Sequence, residues 1–136
     1  MIREIAEKYN VILNEVELGD KFCDANGEES YINSSYSAGS IRTTCDAEIW
    51  LGIYENEELK LISFFHEMGH MLIDMGYDND LKVYDYEKDA WEKGYKLAGE
   101  CGVKFSRKAK RWAKKQLNSY KNYEEREYTS FETTII

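Results

Sequence analysis

Residues 57 to 75, EELKLISFFHEMGHMLIDM, constrain this chain more than any other stretch. Leu59, Leu61, Ile62, Phe64, Phe65, Met68, Met71, Leu72, Ile73 and Met75 run round every side of a helix, and a helix apolar nearly all round belongs inside a core. Asn56 supplies an N-cap, Glu57 and Glu58 sit in the first turn where the helix dipole favours anions, and Gly76 supplies a C′ stop. Set into this buried helix are His66, Glu67 and His70. Burying three ionisable groups without partners costs several kcal/mol, so the fold must bring something to satisfy them.

The rest of the chain is consistent with one folded domain spanning residues 1 to 136. This length is typical of a single core, and 43% hydrophobic, 14% aromatic and 32% charged residues are too rich in core formers for disorder. No apolar run approaches the roughly 20 residues that cross a bilayer, and MIREIAEKYN lacks the apolar centre of a signal peptide. Cys23, Cys45 and Cys101 are an odd set without CxxC spacing, which reads as reduced thiols and a cytoplasmic setting. With no proline, turns fall to Gly, Asn and Asp.

Periodicity predicts an α+β fold: a small N-terminal sheet, the buried helix, then two further helices. A short helix over 1 to 9 carries Ile2, Ile5, Ala6 and Tyr9 on one face, a first strand follows at Val11, and 19 to 30 reads as loop. From Ile41 to Ile53, small or apolar residues alternate with Arg42, Thr44, Asp46 and Glu48, the pattern of a half-buried strand, with a turn expected near Asp46. A loop over 77 to 86 precedes a helix from Glu87 to Cys101 stopped by Gly102, and Ser106 caps a last helix to about Tyr120. Residues 122 to 136 show no period and are expected to be a loose tail or a strap along the sheet edge near the site.

The motif HEMGH fits H-E-x-x-H. Imidazoles at i and i+4 share one helix face a turn apart, so both can reach one ion at about 2.0–2.1 Å while the intervening glutamate flanks the water. Both histidines of the whole chain fall in this motif. A catalytic zinc has three protein ligands and one open position, and with no third histidine the remaining ligand should be a carboxylate. Glu87 shares a helix face with Ala90, Trp91, Gly94, Ala98 and Cys101, which points it towards the core, while Lys88, Glu92 and Lys96 point away. Asp74, Asp85 and Asp89 compete for the role, and Glu87 as a first-turn acid held by the helix dipole is the plain alternative.

HEMGH, a loop and then EKDAW resemble the zinc metallopeptidases called gluzincins, in particular the small ImmA/IrrE-like and phage-encoded group. The resemblance covers roughly residues 41 to 120. It implies a compact zincin-like domain with one zinc held by His66, His70 and Glu87, and with Glu67 as general base in hydrolysis of a peptide bond. A regulatory protein is the kind of substrate it implies. The chain departs from larger gluzincins in one place: where these carry an Asp four residues after the ligand glutamate, it has Trp91. That leaves the partner that orients a histidine unassigned, with Asp74, one turn beyond His70, as a candidate.

Hydrolysis also needs a donor for the oxyanion, for which Tyr77, Tyr84, Tyr86 and Tyr95 are near in sequence. The strand EIWLGIY offers an edge for a peptide by β-augmentation, against simple packing of Trp50 and Tyr54. A metal-stabilised binding module without turnover is the alternative from another class.

Charge is uneven. Residues 104 to 121 hold eight of the eighteen Lys and Arg and no acid, which leaves ten basic against twenty-six acidic side chains elsewhere, or −16. On the helix 107 to 120, Arg107, Lys108, Lys110, Arg111, Lys114 and Lys115 oppose the apolar Ala109, Trp112, Ala113, Leu117 and Tyr120. Such a face is a solvated or acid-facing surface, or a local patch for nucleic acid or an acidic partner.

Overall fold

The computed structural model describes residues 1–15, 17, 20–23, 28–31, 39–42, 47–73 and 83–121. Over these residues the chain is α+β, with α1 (Ile2–Lys8), β1 (Val11–Glu15), β2 (Lys21–Cys23), β3 (Glu29–Tyr31), β4 (Gly39–Arg42), β5 (Ala47–Leu51), α2 (Glu57–Leu72), α3 (Val83–Glu100) and α4 (Arg107–Asn118). No helix among them is long and apolar enough to cross a membrane.

Three strands form one sheet in the order β1-β5-β4. β1 runs parallel to β5 with Val11 opposite Ala47 and Glu15 opposite Leu51, and β4 runs antiparallel with Arg42 opposite Ala47. The alternation from Ile41 therefore serves two paired strands, and the expected turn at Asp46 falls in 43 to 46, outside the described residues. Ile49 and Leu51 of β5 are fully buried. β5 is central, so the expectation that EIWLGIY offers an edge to a peptide is overturned: both of its backbone edges are already paired. Within the stretch expected to be loop at 19 to 30, β2 and β3 pair as a hairpin, with Lys21 opposite Tyr31.

α2 forms where the apolar pattern places it. Asn56 Oδ1 accepts the Leu59 N–H at 2.9 Å, a direct N-cap. The helix ends at Leu72, earlier than the expected Gly76 stop, because Ile73 leaves in an extended conformation with ψ 111°. Gly76 lies outside the described residues. Phe64, Phe65 and Met68 pack with Ile5 and Ala6 of α1, Val11 of β1, Ile49 and Leu51 of β5, and Leu97 and Ala98 of α3 to make the main core. Tyr9, expected on the inner face of α1, is exposed.

α3 begins four residues before the expected start, at Val83, which is buried. At its other end Gly102 has φ +76° and accepts the expected stop role: its N–H donates to the Gly99 carbonyl, and the Val103 N–H donates to the Ala98 carbonyl at 2.8 Å. This is the Schellman pattern, which satisfies carbonyls the helix leaves free.

α4 docks through Ala109 and Ala113 onto Leu59, Ile62 and Trp91 in a second apolar cluster. Ser106 Oγ accepts the Ala109 N–H at 3.1 Å and donates to Glu58 Oε1 at 2.7 Å, joining the N-termini of α4 and α2. Ser106→Ala should lower the unfolding free energy by about 1 kcal/mol, measured by urea denaturation. The six cations expected on the outer face of α4 are exposed and form no ion pair among the described residues. The tail from 122 to 136 lies outside the described residues.

Candidate metal centre

The two histidines and the glutamate meet because α2 and α3 touch backbone to backbone. A Cβ on Gly69 would stand 1.9 Å from the Ala90 carbonyl oxygen, and one on Gly94 would stand 2.4 Å from that of Phe65. Only residues without a side chain permit so close a crossing. It brings the start of α3 over the second half of α2, where His66 and His70 project on one face.

Glu87 is 2% exposed, and its Oε2 lies 2.7 Å from His70 Nε2 and 3.2 Å from His66 Nε2. The two Nε2 atoms are themselves 3.2 Å apart. Since α3 starts at Val83, Glu87 stands beyond the first turn, and the plain alternative of a dipole-held first-turn acid is set aside. Burial pushes its carboxyl pKa up, but the charge and hydrogen-bonding capacity of His70 and His66 prevail and hold it well below the usual carboxylate range. Glu87 is an anion beside two imidazoles.

These three side chains form a group close enough to bind a metal ion. Glu87 Oε2 is buried, and its close neighbours among the described residues are the two imidazole nitrogens, which do not meet it in full hydrogen-bond geometry. With Glu87 Oε2 and the two Nε2 atoms all within 3.2 Å of one another, the three side chains crowd one point, as the ligands of a shared ion do. Tetrahedral bonds of about 2.0–2.1 Å would set donor atoms roughly 3.3 Å apart, so two edges of the triangle already fit an ion and the third needs a small outward shift. Two nitrogens and one carboxylate oxygen are a donor set that suits zinc.

The other residues singled out by sequence divide clearly. Glu67, between the two histidines on α2, is 6% exposed and has no hydrogen bond or ion pair among the described residues. Asp85 is exposed and Asp89 pairs with Lys93 at 3.6 Å, so neither joins the cluster. Asp74 and Tyr77 lie outside the described residues. Tyr95, named for the oxyanion, packs instead against Trp91 and Phe105 at ring-centroid distances of 5.9 and 6.3 Å, and burial raises its pKa. Tyr86 is the tyrosine set beside the site, its ring 5.0 Å from that of His70. Its place next to Glu87 in the chain was the available signal.

One contact was invisible in the spacing alone. Trp91 stacks on His66 with centroids 4.0 Å apart and planes inclined by 24°. No family model, curated protein or solved structure matches this chain.

Proposed function

We propose that this chain is a cytoplasmic, zinc-dependent metallopeptidase with a compact zincin-like fold, related in its chemistry to the small gluzincins of the ImmA/IrrE-like and phage-encoded group. One zinc per chain would be held by His66, His70 and Glu87. The observation that supports the reading most is the convergence of three donor atoms, none more than 3.2 Å from the next, on a buried glutamate and two largely buried histidines, with Glu67 unpaired among the described residues alongside.

A zinc ion held by His66, His70 and Glu87 would supply Lewis acidity for a scissile carbonyl and for an attacking water near neutral pH. Glu67 does the proton work: its carboxylate takes a proton from the attacking water and delivers it to the leaving nitrogen. Burial of Glu67 without a competing partner among the described residues keeps it available for that transfer. Glu87, already ionised, contributes negative charge to the ligand set without releasing a proton on binding. A protein or peptide of narrow specificity is the proposed substrate, because broad peptidase activity would harm its own compartment.

Zinc content of the purified protein and cleavage of a peptide library test the proposal together. Glu67→Gln should retain zinc and fold while hydrolysis falls by about 10²–10⁴-fold, since the change removes the base and no ligand. Unchanged turnover in that variant would place the base elsewhere. Stoichiometric zinc with no cleavage in the unaltered protein would point to a metal-stabilised binding module.

A further inference from the structure

Among the described residues, His66 has no partner of the kind that ordinarily aims a metal-binding imidazole. Such a histidine donates its second ring N–H to a carboxylate, carbonyl or water, and that bond sets the plane of the ring. Here Nδ1 of His66 is buried and has no hydrogen-bond partner among the described residues. What lies against the ring is the indole of Trp91, nearly parallel at 4.0 Å.

The indole is itself held in place. Trp91 is 6% exposed and sits in the apolar cluster formed by Leu59 and Ile62 of α2 with Ala109 and Ala113 of α4. It follows Glu87 by one turn of α3, so one helix face presents both the carboxylate and the aromatic plate to α2. Gly94 allows this approach at the same point, since a Cβ there would come within 3.2 Å of the His66 Cα. A stacked ring restrains the tilt of the imidazole, while its rotation is limited by the α2 backbone.

Resting on the reading of this site as a metal centre, we infer that Trp91 is the positioning residue for His66. Stacking replaces the missing hydrogen bond and keeps Nε2 directed at the point shared with His70 and Glu87. Trp91 touches the ligand and not the metal, so its effect should be seen in metal affinity and ligand field.

The test compares zinc affinity, by chelator competition, in the wild-type protein, Trp91→Phe, Trp91→Leu and Ile62→Val. Trp91→Leu should bind zinc about tenfold more weakly, while Trp91→Phe, which can still stack, should remain within about threefold of wild type. Cobalt substituted at the site should show an altered visible absorption spectrum in Trp91→Leu and an unaltered one in Ile62→Val. Ile62 belongs to the same cluster, so Ile62→Val reports what loosened packing does by itself. Equal affinities and spectra in wild type and Trp91→Leu would overturn the inference. So would an affinity loss in Ile62→Val matching that in Trp91→Leu.

A second measurement does not depend on Trp91 variants folding. In Trp50→Phe/Trp112→Phe, whose remaining tryptophan is Trp91, cobalt binding should quench the fluorescence, and unchanged emission from the cobalt-loaded protein would overturn the stack. A wild-type protein that binds no zinc would overturn the metal reading together with this inference. Normal wild-type binding with no effect at Trp91 overturns this inference alone.

Discussion

Gly69→Ala should lower the unfolding free energy by about 3 kcal/mol or more, because its new Cβ would lie 1.9 Å from the Ala90 carbonyl oxygen and 2.8 Å from the carbonyl carbon. The obstacle is backbone and cannot swing aside, so α2 and α3 must separate. Gly94→Ala meets the same fate from the other helix, with the Phe65 carbonyl oxygen at 2.4 Å. Separation also draws Glu87 away from His66 and His70, so metal affinity should fall along with stability in any variant that still folds. Gly99→Ala is the contrast within α3. Nothing among the described residues lies within 4 Å of a Cβ there, and alanine's better helix propensity should stabilise the protein by up to about 1 kcal/mol. Urea denaturation of the three variants decides this. Similar losses at Gly69 and Gly99 would mean that the helix crossing is not what makes Gly69 necessary.

Zinc in about a thousandfold excess over its Kd should raise the unfolding free energy by about 4 kcal/mol, through binding the folded state alone. His70→Ala or Glu87→Gln should remove most of that gain, because each leaves two ligands where the ion needs three. Thermal unfolding with zinc and with a chelator measures it, and a full zinc-dependent rise in His70→Ala would dismiss the ligand assignment. In the metal-free protein Glu87 has a direction of its own. Its folded pKa lies below the ordinary 4.5, so the stability it contributes is complete above that pH and is lost as the pH falls through the acid range towards the folded value.

Much of the site could be read from local chemistry. The i and i+4 spacing of His66 and His70 needs only a helix, and the apolar residues around them ensure one that is buried. Asn56 and Ser106 cap as their side chains and neighbours demand, and Gly102 takes a positive φ that other residues resist. The inward direction of Glu87 followed from its sharing a face with Ala90, Trp91 and Gly94, all of which are buried.

The structure departs from the sequence expectation where tertiary contacts outweigh local preference or where a local pattern is too short to register. Val83 and Tyr84 are weak helix formers with no evident capping residue before them, yet burial of Val83 against the core extends α3 to include them. The β2–β3 pair shows no alternation because each strand has only three residues, although Asn26-Gly27 between them in the sequence is a recognised hairpin signal. β5 looked like a candidate edge because alternation reports which face is buried and says nothing about which strands lie alongside.

A buried helix carrying two imidazoles and a carboxylate follows from residue order alone, because helical spacing and the cost of burying charge are local facts. That Glu87 completes the triangle, that Gly69 and Gly94 let the helices touch, and that Trp91 lies on His66 are outcomes of how α2 and α3 pack. Those depend on the distance and crossing of two helices separated by a loop, and backbone contact through glycine has no periodicity that a single sequence could reveal.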